Sequence, residues 1–76
     1  MSTATMLAKE LGGMLRAVSR TRLQLLEIRQ SAELEMAKPG ADESGWPAVA
    51  FYAKNEADRL GEVERKLTDF YNHAIR

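Results

Sequence analysis

Few residues in this chain could do chemistry, and their spacing limits what that chemistry would be. His73 is the sole histidine, and Asp69 precedes it by one helical turn, a spacing that suits a pair of metal ligands or a general base oriented by a carboxylate. Two such groups near the end of a helix are not a site. The remaining acids of the second half read as a solvated face. There is no cysteine, so neither a disulfide framework nor a thiolate-ligated zinc is available. Gly12 and Gly13 lack the following lysine and the preceding strand of a phosphate-cradling loop. No catalytic, metal-binding or cofactor-binding residue is assigned, and no cofactor or small-molecule substrate is expected.

The segment Arg16-Ala-Val-Ser-Arg20-Thr-Arg22 is the best nucleic-acid candidate, since Arg16, Arg20 and Arg22 with Ser19 and Thr21 could contact phosphates. Against it stand a formal net charge of zero, the lack of an interleaved aromatic residue, and helices too long for a helix-turn-helix unit. A small nucleic-acid-binding regulator is therefore the alternative function, not the first. Glu56 is a different kind of charged residue, because it falls inside an apolar stripe with Arg22 and Arg29 expected near it. A Glu56 pair with Arg29 or Arg22 would select register and partner; the plainer reading is that long stems lie along apolar surface with their charges in water.

The elements that must position these residues are two helices. Leu7, Leu11, Met14, Val18, Thr21, Leu25, Ile28 and Ala32 recur at alternating spacings of three and four, and so do Val49, Ala53, Glu56, Leu60, Val63, Leu67, Phe70 and Ala74. That spacing keeps a seam on one side of a helix. Small hydroxyl residues from Ser2 to Thr5 can cap the first helix, Pro39 and Gly40 stop it, and Pro47 fits the first turn of the second. The chain is read as one all-α domain, an antiparallel two-helix hairpin with helix one over about 3–38, a turn over 39–45 and helix two over about 46–74. Gly12 and Gly13 would cost about 1 kcal/mol each relative to alanine inside a helix. The stripe stays in phase across them, so the helix is expected to continue.

Pairing about the turn predicts partners whose residue numbers sum to about 84, with Ala32 opposite Ala53, Leu25 opposite Leu60 and Met14 opposite Phe70. Small residues then meet near the turn, and a thicker core lies toward the open end. The residues expected to hold the hairpin are Leu11, Met14, Val18, Leu25, Ile28, Leu60, Val63, Leu67 and Phe70. Helix one is mildly basic and helix two mildly acidic, which favours their association, although each surface pair contributes only about 0.5 kcal/mol.

With 76 residues, 45% apolar and 29% charged, the chain is one ordinary globular domain, too small for a buried enzyme pocket. No apolar run is long enough to cross a bilayer. Met1 to Ala8 lacks the basic region and apolar centre of a signal peptide, so a cytoplasmic location is expected. Arginine outnumbers lysine, a hint of a GC-rich bacterial genome. Apolar residues beyond one seam imply a second interface: Leu15, Leu23, Leu26, Leu34, Trp46, Phe51 and Tyr71 are the expected partner contacts. A homodimer forming a four-helix bundle is the favoured assembly, and a further protein partner is expected. The function expected is that of a non-enzymatic protein-protein interaction module: an adaptor, small chaperone or assembly factor.

Trp46-Pro47-Ala48-Val49-Ala50-Phe51, a tryptophan at the turn followed by small residues and an aromatic, resembles the WXG100 group of small secreted helical hairpins. The resemblance implies a secreted hairpin with its signature at the turn, and Ala48 departs from it where the family has glycine. The length and hairpin pattern also look like the small helical co-chaperones of type III secretion.

Overall fold

A computed structural model describes residues 2–40 and 44–74. Ala41, Asp42 and Glu43 of the expected turn, with Ile75 and Arg76, lie outside the described residues. Ser2 begins the first helix by capping it. Its backbone is extended, and its Oγ accepts a hydrogen bond from the Thr5 amide at 3.2 Å, satisfying one of the amides that a helix start leaves without a partner. From there α1 spans Thr3–Met36 and α2 spans Trp46–Ala74.

α1 stops at Met36, two residues short of the boundary expected from the sequence. Pro39 disfavours helical backbone at the residue before it, so the chain leaves the helix before Lys38. The last turn closes through tighter bonds, from the Ala37 amide to the Leu34 carbonyl at 3.3 Å and from the Lys38 amide to the Glu35 carbonyl at 3.1 Å. Gly40 then takes φ +80°, the left-handed backbone that glycine adopts without penalty. At the start of α2 the Trp46 amide donates to Ser44 Oγ at 3.3 Å and the Val49 amide to the Gly45 carbonyl at 3.1 Å. Pro47 lies in this first turn, where its missing amide costs least.

The helices pack antiparallel along their length. α1 runs unbroken through Gly12 and Gly13. A Cβ at Gly12 would lie 3.5 Å from Cε2 of Tyr71, so the α2 ring rests directly on the α1 backbone there. Further along, the Arg22 guanidinium passes over Gly61 and its Nη1 lies 3.6 Å from Glu64 Oε2. These contacts join residues whose numbers sum to 83 and 86, which brackets the register read from the sequence.

The seam itself is not the one expected. Met14 is 54% exposed, Ile28 46% and Phe70 59%, and Leu7, Val49 and Val63 are exposed as well. Burial instead centres on Ala8, Leu15, Arg22 and Arg29 of α1, flanked by Leu11 and Gly12, Val18 and Ser19, Leu25 and Leu26, and Ala32. On α2 it centres on Ala50, Ala57, Glu64 and Tyr71, with Ala53, Leu60, Gly61, Leu67 and Ala74 beside them. The expected and observed seams share one column on each helix, Leu11/Val18/Leu25/Ala32 and Ala53/Leu60/Leu67/Ala74. They differ in the second column, where the structure uses the residue one position later. The physical reason is legible on α2, where the small Ala50 and Ala57 let the backbones approach while Val49 and Glu56 are turned outward. Consequently the thicker core expected at the open end is absent, because Met14 and Phe70 face solvent there.

Candidate interaction face

Among the described residues the buried hydrophobic ones are Ala32, Ala50, Ala53, Ala57 and Leu67, and no large side chain is fully enclosed. This is a thin core for a domain. Small proteins are already marginal at this length, and alanines bury little apolar area each. The radius of gyration is 17.2 Å, against about 11 Å for a compact chain of the same length. The accessible surface is 5902 Å², and a globular monomer of this mass exposes about 4,700 Å².

Part of the exposed surface is an apolar strip along one side of the hairpin. With 3.6 residues per turn, the residue before a seam position lies about 100° around the helix from it. In an antiparallel pair, the columns preceding the two seams fall on the same side of the hairpin. Those columns are Leu7, Met14, Thr21 and Ile28 on α1 and Val49, Glu56, Val63 and Phe70 on α2. Together with the half-buried edges of Leu11, Val18, Leu25 and Leu60 they form a continuous apolar face along the molecule. Ile28 and Trp46, one from each helix, line a common open groove near the turn, as this placement requires. Thr21 interrupts the face little, since its hydroxyl donates to the Ala17 carbonyl at 2.9 Å and leaves its methyl outward. Glu56 is the one charged residue in these two columns.

The charged pairs differ from the expectation. Glu56 reaches Arg59 on its own helix at 3.7 Å, Arg29 bonds Glu33 at 2.8 Å, and Arg22 faces Glu64. No Glu56 pair with Arg22 or Arg29 forms, because both arginines sit in the seam column while Glu56 sits in the outward one. Among the described residues the Arg22–Glu64 pair is the sole salt bridge between helices, so charge complementarity contributes little to their association. Glu64 Oε2 is buried and has no hydrogen-bond partner among the described residues, so it is compensated at ion-pair distance alone.

The residues singled out from the sequence are dispersed. Leu23, Leu34 and Phe51 are exposed but lie away from the long apolar face, and Phe51 stacks edge-on against Tyr52 at 5.6 Å. Leu15, Leu26 and Tyr71 are half-buried in the seam, and Trp46 borders the groove. Arg16 lies along Gly12 and Gly13, Arg20 is exposed and Arg22 is turned into the seam, so the three guanidiniums do not converge on one patch. His73 Nδ1 lies 2.7 Å from the backbone carbonyl of Asp69, which ties the ring to its own helix rather than to the carboxylate. Among the described residues no group of three or more His, Cys, Asp or Glu is placed to hold a metal ion, and no helix is long and apolar enough to cross a membrane.

The exposed apolar face is hard to read from the sequence because its residues also fit the seam by their spacing. The signal that would have found it is the small-residue column Ala50, Ala53, Ala57 and Gly61, spaced three and four apart, which competes with the bulkier stripe for the same role. Comparison of the chain with protein-family models, curated proteins and solved structures gives no match.

Proposed function

We propose that the chain is a non-enzymatic protein-protein interaction module, an adaptor, small chaperone or assembly factor, that works through the apolar side of the hairpin. One observation carries this reading: the columns just before the seam positions leave Leu7, Met14, Ile28, Val49, Val63 and Phe70 exposed along one side of the hairpin, while the most buried residues are mostly alanine. An extended apolar face rimmed by polar residues is the usual mark of a binding surface. Self-association into a four-helix bundle would give the hairpin the core it lacks. A cytoplasmic setting suits a chain without cysteine.

The test leaves the seam untouched. Met14→Gln combined with Phe70→Gln makes the face polar at its bulkiest point. The native chain is expected to sediment as an assembly, and the variant as a species of lower mass with a lower unfolding temperature. Equal mass and equal unfolding temperature for the two chains would refute the role assigned to this face.

A further inference from the structure

We infer that the occupant of the apolar face is a second copy of this chain, laid down with its turn at the opposite end, so that α1 covers α1 and α2 covers α2. This rests on the interaction reading above and names its partner. Two observations bear on it: the area left exposed and the position of Glu56.

The area matches a dimer. The chain exposes 5902 Å², about 1,200 Å² more than a globular monomer of its mass. Burying that excess on each of two copies gives an interface of about 2,400 Å², in the range of obligate homodimers and well above transient contacts. Each face then becomes half of a four-helix core.

Glu56 chooses between the two symmetric ways of stacking hairpins. With turns together it would face Ile28 of the second copy, flanked by Gln24 and Ser31, with no cation within the layer. With turns opposed, Lys66 of the second copy comes level with it. The arrangement thus supplies an intermolecular counter-charge to the one acid in the face. It also sets register, since a slip of one turn would leave that acid against apolar side chains.

The absence of cysteine from the chain allows a single label to be placed. Among the described residues nothing lies within 4 Å of a Cβ built at Gly45, so Gly45→Cys places a nitroxide at the turn. Pulsed dipolar spectroscopy is expected to give a turn-to-turn distance of about 50 Å, set by the 1.5 Å rise per residue along the paired helices. A distance below about 20 Å, the spacing of adjacent helices plus label, would overturn this arrangement and leave the face as an interaction site. A lack of dipolar coupling would overturn the second copy as occupant. In a parallel measurement Glu56→Lys is expected to weaken dimerisation about tenfold by opposing Lys66 of the copy, and adding Lys66→Glu to restore it; failure to restore contradicts the pairing. The interaction reading fails on a different result, the indifference of assembly to Met14→Gln with Phe70→Gln.

Discussion

The two flanks of the seam differ in composition although they stand in mirror positions. The residues just before the seam positions are Leu7, Met14, Thr21, Ile28, Val49, Glu56, Val63 and Phe70, six of them apolar. The residues just after are Lys9, Arg16, Leu23, Gln30, Phe51, Asp58, Arg65 and Asn72, two of them apolar. The hairpin is therefore amphipathic as a unit, not merely helix by helix. The contrast teaches that the seam joining α1 to α2 uses only part of the apolar surface, and that much of the rest lies on one flank.

The largest expected effect tests the apolar flank. Phe70→Ala should destabilise the assembled protein by about 3 kcal/mol, as for a truncated core aromatic, read by chemical denaturation at fixed protein concentration. The matching change on the other flank, Phe51→Ala, should cost under about 0.5 kcal/mol, as at ordinary surface positions. Equal costs would erase the distinction between the flanks.

Changes in the seam come next in size. Ala57 is 1% exposed, so Ala57→Leu should force the backbones apart and cost about 1–3 kcal/mol. Thermal unfolding would show it, and an unchanged midpoint would mean that the helices are not closely apposed there. Replacing Arg22 and Glu64 together by leucine should raise stability by about 1 kcal/mol, because an ion pair with an unsatisfied buried oxygen gives way to apolar contact. Loss of stability in that double variant would show the pair to be a net stabilising one. The smallest effect expected is at Gly13, where among the described residues a Cβ would approach nothing closer than the flexible end of Arg16, at 3.9 Å. Gly13→Ala should stabilise α1 by about 0.5–1 kcal/mol through helix propensity alone.

The hairpin was legible in the sequence because its determinants are local. Ser2 caps, Pro39 and Gly40 stop, Pro47 restarts, and the stripe stays in phase across Gly12 and Gly13. The register followed from the length of the turn, and the contacts of Tyr71 with Gly12 and of Arg22 with Glu64 agree with it. The choice of column was not legible. Periodicity identifies the shared column of Leu11, Val18, Leu25 and Ala32 but cannot say on which side of it the partner helix lies. Hydrophobicity favours Met14 and Ile28 for that place, whereas backbone proximity favours Ala8 and Leu15 with Ala50 and Ala57. On α2 the smaller column took the inward place, and Val49, Val63 and Phe70 went outward. The same rotation carried Arg22 and Arg29 into the seam and separated them from Glu56.

The account stands or falls on whether the apolar flank is covered in solution. Sedimentation equilibrium of the native chain over a range of concentrations reads this directly from mass. The expected result is a species of twice the 8.5 kDa chain mass, with folding and association lost together on dilution. A folded, cooperatively unfolding monomer of single chain mass at all concentrations would contradict it.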